Sequence, residues 1–433
     1  MKLAHLAKIT GLFLLVKVSQ TLILINVPTR FDTSSQIIFG NAVVQQHKET
    51  SILLQLSQPF SQILSELLPK LVTWDTVYLS SFFANGLKYE HEFVFAPLWW
   101  RLIKSLPEII PGTLPSVNFY DQLLIGTLVA NASHYLACLV LYGLTNLVFS
   151  SNTLKARSES HNVALRAAML YAISPAGIFL TAPYAESICA LSSFVALYLR
   201  EVSFDRRFLM KPTLKSAPLF QAAYILSGAF VATAFGFRSN AVLLGYLYLS
   251  DLYVFLRARS YKSALIPLLA GSQLFAAVLY LGYLPYSLLC PQRGEWCLNT
   301  VPSLFTHAQA RWSNGFLSYW TLNNIPNFAF ALPTAAILLA ASRHFTFTYP
   351  CRNVYAHCSI AYLLLVMIFG FSNVQILTRV ASFLPLPYWY IADKLALTAQ
   401  KGETGGFTKL MVSYCVVWGA TQTALFGAFL PPA

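Results

Sequence analysis

Runs of roughly 20 mostly apolar residues, the length a membrane-spanning helix requires, recur from one end of the chain to the other. About eleven can be read, near 9–27, 120–148, 163–181, 184–199, 217–236, 239–256, 263–289, 326–341, 354–376, 380–397 and 410–430. In hydrocarbon every backbone polar group must be satisfied internally, so such a chain folds as helices. The expectation is an all-α polytopic membrane protein of about 11 transmembrane helices, a single integral domain over 1–433. Composition agrees: 433 residues with 56% hydrophobic and 10% charged fall far below the roughly 25% charge of soluble domains. The same figures exclude disorder. Two runs are interrupted. Ser174-Pro175 and Ala182-Pro183 split 163–199 into two short spans or one span with a re-entrant piece, and Pro385 and Pro387 break the tenth.

Lys2 and Lys8 precede the first run, but Lys17 and Gln20 interrupt it and no small-residue cleavage site follows. A retained span is expected rather than a signal peptide, with Lys17 snorkelling or facing a partner. The net charge of +13 invites a nucleic-acid reading. No basic cluster is interleaved with stacking aromatics, which excludes it. Divided by loop, 18 of the 29 Lys and Arg share the face of the N-terminus, which the positive-inside rule makes cytosolic. The excess charge is therefore an orientation signal, and the opposite face carries most of the acids.

That opposite face holds two long segments, 28–119 and 290–325. The first contains amphipathic stretches at 51–68 and 93–106. The second of these mixes Trp99, Trp100, Arg101 and Lys104, a pattern for a helix lying in the interface or for one packed on protein. Between them stand Trp74-Asp75-Thr76-Val77-Tyr78 and Glu90-His91-Glu92, three acids and a histidine in a chain with 16 acids. A carboxylate there can take a proton from a sugar hydroxyl or join Glu90, His91 and Glu92 around a divalent ion. A capped, solvated loop is the other reading. No Asp-x-Asp exists, so no metal site is assigned.

Further polar features lie at Tyr184 and Glu186 beside the broken run, and at Arg311-Trp312-Ser313-Asn314 and Arg379, where an arginine suits a phosphate or an aromatic belt. Cys290 and Cys297 are candidates for a disulfide if the compartment is oxidising, with two free thiols as the other reading. Cys138, Cys189 and Cys415 read as small hydrophobes, and the sequon Asn131-Ala-Ser133 falls within a span and is expected to be unused.

These residues carry a resemblance to a known family. W-D-T-V-Y with E-H-E-F-V-F-A-P-L at 90–98 is similar to the PIG-V family, the second GPI mannosyltransferases of eukaryotes. So are N-A-S-H-Y at 131–135, S-P-A-G-I-F-L-T-A-P-Y-A-E-S at 174–187, F-R-S-N at 237–240, R-W-S-N-G-F-L-S-Y-W at 311–320, N-N-I-P-N-F at 323–328 and P-Y-W-Y at 387–390. The length fits a fungal member. The resemblance implies a GT-C-type glycosyltransferase of the endoplasmic reticulum membrane. It would use dolichyl-phosphate mannose on the lumenal side to add the second mannose, α1,6-linked, to the GPI precursor by an inverting single displacement.

The resemblance also implies roles. Asp75 is the candidate base and Glu92 the alternate. Glu90, His91 and Glu92 would orient the acceptor or tune Asp75. Tyr184 and Glu186 would line the acceptor pocket, and Trp74 would bind substrate. Arg311, Arg379 and Arg238, in that order, are candidates for the donor phosphate, with Trp312 and Asn314 beside the first. No cofactor is expected beyond the lipid-linked donor, a divalent ion is left open, and so is a small accessory membrane subunit. The rival classes are a transporter or scramblase, for which inverted repeats are expected and none is found, a non-catalytic subunit of a membrane complex, and another dolichol-dependent transferase.

Overall fold

The computed structural model describes residues 2–27, 30–33, 37, 58–77, 90–94, 97–109, 119–150, 154–205, 213–292, 294–312, 314–348, 352–401 and 405–430. Among these, eight helices are long and apolar enough to cross a membrane: Leu3–Asn26, Phe119–Phe149, Pro218–Phe237, Ser239–Arg257, Tyr261–Leu289, Leu322–Phe347, Val354–Phe371 and Gly406–Gly427. The other three apolar stretches also fold as helices, Leu154–Ala172, Glu186–Ser203 and Leu386–Lys401, without reaching that length and apolarity. The expectation of eleven spans therefore becomes eight plus three shorter or more polar helices. The only strands among the described residues, Phe204–Asp205 and Thr213–Leu214, pair antiparallel.

The break in the 163–199 run has a local cause. Pro175 cannot continue a helix, and Leu154–Ala172 ends two residues before Ser174, whose hydroxyl accepts the Ala176 N–H at 3.2 Å. Gly177 takes φ +50, a left-handed conformation that costs glycine little. A single 3-10 turn, Gly177–Leu180, follows, and helix Glu186–Ser203 starts after the second proline. This helix packs between Phe119–Phe149 and Pro218–Phe237.

The carbonyls freed by the break are taken up by side chains. Lys17 Nζ reaches Leu180 O at 3.3 Å, Thr181 Oγ1 at 2.6 Å and His134 Nδ1 at 2.9 Å. Asn131 Nδ2 donates to Thr181 O at 3.0 Å. Lys17 thus faces partners, and the sequon asparagine is committed inside the bundle. Trp99 Nε1 donates to Pro183 O at 2.9 Å. Trp99 and Trp100 are buried, so helix Pro97–Ile109 docks its indoles into protein and not into a headgroup layer. The reason is the open carbonyl of the break, which an indole N–H satisfies.

Helix Gln58–Leu71 is latched to the end of the first helix. Lys70 Nζ donates to Leu24 O at 2.7 Å, Ile25 O at 2.7 Å and Val27 O at 3.0 Å, a cation on exposed C-terminal carbonyls. Arg30 donates to Pro69 O. Farther away, Arg200 holds Asp251 through two bonds of 2.8 and 2.7 Å and Glu201 through one of 2.6 Å. Arg200 is 1% exposed, so it is a buried structural charge. Cys290 and Cys297 are disulfide-bonded, while Cys138, Cys189, Cys358 and Cys415 are free and buried.

Candidate active site

Four charged side chains from four separate segments meet next to the break. Asp75 follows the C-terminus of helix Gln58–Leu71 in a turn pinned by Thr76, whose hydroxyl accepts the Thr73 N–H at 2.8 Å and donates to Thr73 O at 2.8 Å. Trp74 enters this turn at φ +57, an uncommon conformation for a bulky residue, and its ring packs 5.3 Å from Phe429. Glu186 is the first residue of its helix, where the helix dipole favours an acid. Arg238 stands at the C-terminal end of Pro218–Phe237, the end that favours a cation. Arg379 lies on the short buried helical turn Leu377–Val380. Asn240 ties the last two segments together by donating to Val380 O at 3.3 Å.

Arg379 is the bridge. Its Nη2 lies 2.5 Å from Asp75 Oδ2 and its Nε 2.6 Å from Glu186 Oε1. Arg238 stands across from it, 3.4 Å from Glu186 Oε1 and 3.9 Å from Asp75 Oδ2. Two carboxylates and two guanidinium groups balance, which is how buried charge becomes tolerable. The side chains form a gradient of depth: Asp75 is 19% exposed, Arg238 17%, Arg379 7% and Glu186 2%. Burial alone would lower the pKa of Arg379, but Asp75 and Glu186 outweigh it and hold the guanidinium above its ordinary value. Its carbon also sits 5.0 Å from the centre of Phe179 and 5.4 Å from that of Tyr184, a cation–π seat. Tyr184 Oη in turn donates to Thr73 O at 2.5 Å, which joins the break to the Asp75 turn. Among the described residues, Glu186 Oε2 is buried without a hydrogen-bond partner.

Asp75, Tyr184, Glu186, Arg238 and Arg379 are therefore brought together, with Trp74 alongside. The remaining sequence candidates lie elsewhere or beyond description. Glu90 Oε1 accepts from Trp296 Nε1 at 2.8 Å, which attaches it to the disulfide-bonded lobe. His91 and Glu92 belong to the 3-10 turn Glu90–Phe93, but their side chains are outside the described residues. The Arg311 side chain is outside them too. Trp312 is half-buried. Asn314 Nδ2 donates to Gln309 Oε1 at 2.5 Å, a local closure after helix Leu304–Arg311. Among the described residues no three His, Cys, Asp or Glu converge as metal ligands. Sequence reasoning missed Phe179, which supports the Arg379 guanidinium; nothing distinguishes it among 32 phenylalanines.

The mannosyltransferase (PIG-V) family profile matches residues 12–354 and 343–433. GPI mannosyltransferase 2 of Candida albicans is 36% identical over 98% of this chain and 99% of its own length. That of Saccharomyces cerevisiae is 36% identical over 92% and 96%, so the chain is its relative and not the same protein. A solved oligosaccharyltransferase from Archaeoglobus fulgidus aligns with 78% of this chain and 48% of its own, at 15% identity and TM-score 0.42. The chain belongs to the PIG-V mannosyltransferase family and is a membrane-embedded glycosyltransferase.

Proposed function

We propose that the quartet is the reaction centre for transfer of mannose from dolichyl-phosphate mannose to a GPI precursor that already carries one mannose. The new linkage is α1,6 and the site faces the lumen of the endoplasmic reticulum in a GT-C-type fold. The observation that carries the proposal is the convergence of Asp75, Glu186, Arg238 and Arg379 at 2.5 to 3.9 Å. The names of the relatives support the GPI acceptor.

An inverting displacement needs a base for the incoming hydroxyl and a stabiliser for the departing phosphate. Asp75 is the more open of the two acids and takes the proton as the acceptor oxygen bonds to the anomeric carbon. On the opposite face the bond from that carbon to the phosphate oxygen breaks, and its electron pair leaves with dolichyl phosphate. Arg379 and Arg238 receive that charge, and one displacement turns a β-linked donor into an α product. The arginines hold the carboxylates, and an arriving phosphate competes for them and releases Asp75. Glu186 stays behind as the fixed counter-charge of Arg379, with Oε2 left for a sugar hydroxyl. Two guanidinium groups supply the positive charge a metal would bring, so transfer is expected to persist in EDTA.

Depleting the protein tests the assignment. A GPI precursor with one mannose is expected to accumulate, and an unmannosylated or a two-mannose precursor would overturn the reading.

A further inference from the structure

Lys17 lies inside the candidate span Leu3–Asn26, where a cation is costly. Its hydrogen bonds account for its charge. His134 Nε2 lies 3.2 Å from Tyr171 O, and a carbonyl only accepts, so Nε2 carries the ring proton. A second proton on Nδ1 would point at the lysine, so Nδ1 accepts. Thr181 Oγ1 donates to Gln20 Oε1 at 2.6 Å and therefore accepts from Lys17. With the Leu180 carbonyl, Nζ faces three acceptors at 2.6 to 3.3 Å, and only an ammonium has three N–H groups to give them. The grip comes from one stripe of the first helix. Phe13, Lys17 and Gln20 stand at i, i+4 and i+7 on one face. Phe13 lies under Nζ at 5.0 Å and edge-on to the His134 ring at 5.2 Å.

This stripe holds the far end of the turn Gly177–Leu180. Phe179, next to the carbonyl that Lys17 takes, seats the Arg379 guanidinium at 5.0 Å, and Tyr184, three residues past Thr181, seats it at 5.4 Å. Neutral side chains already satisfy the carbonyls there: Ser187 Oγ donates to Leu180 O at 2.9 Å and Asn131 Nδ2 to Thr181 O at 3.0 Å. Backbone satisfaction alone therefore does not call for a lysine. What the charge adds is stiffness, since charge-assisted hydrogen bonds are roughly twice as strong as neutral ones.

We propose that Lys17 is a positioning residue for transfer: by gripping Leu180 O and Thr181 Oγ1 it fixes the ring of Phe179, and through that ring the orientation of the Arg379 guanidinium. The inference rests on Arg379 receiving the charge of the departing phosphate, as read under the proposed function. Asp75 and Glu186 still hold Arg379 when the grip is lost, so its charge stays in the site and substrates still bind. What is lost is its aim at a charge that develops only as the bond breaks, and such a loss appears in kcat.

The test measures steady-state mannosyl transfer by full-length protein in membranes, normalised to folded protein. Lys17→Met keeps a side chain of similar length over Phe13 and removes the grip. Its kcat is expected to fall about 10- to 100-fold, as a displacement of about 1 Å remote from the chemistry does, with KM for donor and acceptor within about threefold of wild type. Phe179→Leu takes away the ring through which the grip acts. Adding Lys17→Met to it is expected to lower kcat by less than about twofold more, because both changes break one path. Lost abundance with kcat unchanged, an effect confined to KM, or a loss that multiplies in full on Phe179→Leu each overturns the inference. If Lys17→Met does not insert, Thr181→Val replaces it, removing the hydroxyl that Lys17 and Gln20 share. Its kcat is expected to fall about threefold in wild type and to stay level on Phe179→Leu; an equal fall in both overturns the inference. Arg379→Lys is measured alongside. Transfer at the wild-type rate by that variant overturns the phosphate role of Arg379 and this inference together, whereas an inactive Arg379→Lys beside an unimpaired Lys17→Met overturns the inference alone.

Discussion

Asp75 and Arg379 separate the chemical task from the structural one. Asp75→Asn keeps the shape and leaves Arg379 its contact with Glu186, so the protein is expected to insert at normal abundance. Mannosyl transfer is expected to fall by roughly 10²–10⁴-fold, the range of a general base; immunoblot and a transfer assay on the same membranes check both halves. Arg379→Met instead strands Glu186, which is 2% exposed, with only the more distant Arg238. Breaking a buried pair from one side costs about 3–5 kcal/mol, so the melting temperature in detergent should drop clearly. Arg379→Lys restores the charge without the planar fork that reaches both acids, and is expected to recover folding and not transfer. These residues are legible in the sequence because charge is scarce in it. Their meeting is not: 304 positions separate Asp75 from Arg379, and no spacing encodes that contact. Glu90 illustrates the converse. It is close to Asp75 in sequence, yet its hydrogen bond goes to Trp296, 206 positions away.

At the scale of elements, helix Glu186–Ser203 is the part on which precision depends. One end carries Glu186 into the quartet, and the other is fixed by the buried Arg200–Asp251 pair, which Tyr224 Oη also joins at 2.5 Å. Asp251→Ala leaves Arg200 with Glu201 alone and is expected to destabilise by about 3–5 kcal/mol. Tyr224→Phe removes one hydrogen bond to a charged group, worth about 1.5–3 kcal/mol. Detergent melting curves should rank the two in that order. Hydropathy places each of the eleven apolar stretches on a helix. It does not settle which of them cross, because Pro175, Gly177 and Pro183 end one helix and delay the next in the middle of an apolar run. The docking of Trp99 and Trp100 is hidden for a similar reason. An interfacial pattern and a buried amphipathic helix look alike until the Pro183 carbonyl is seen waiting for an indole.

The whole molecule has an orientation that its basic residues predict and that helix Tyr261–Leu289 makes measurable. Its 29 residues extend about 43 Å at 1.5 Å per residue, enough to separate its two ends across a bilayer. Val301→Thr completes an Asn-x-Thr sequon at the exposed Asn299 beyond the disulfide, and should acquire a glycan removable by endoglycosidase. Ala258→Asn creates the matching sequon ahead of the helix and should remain unmodified. The reverse result would invert the topology. The quartet also bears on how the chain is made. Glu186 and Arg238 enter the membrane during synthesis well before Arg379 exists, and helix Gly406–Gly427, which packs on the first helix and on the break, comes last. Until then a nascent chain holds an unbalanced acid in hydrocarbon, the kind of residue a membrane tolerates poorly. A message cut short before codon 379 is therefore expected to yield a protein that quality control removes, which pulse-chase of the truncated chain in membranes would show as rapid loss.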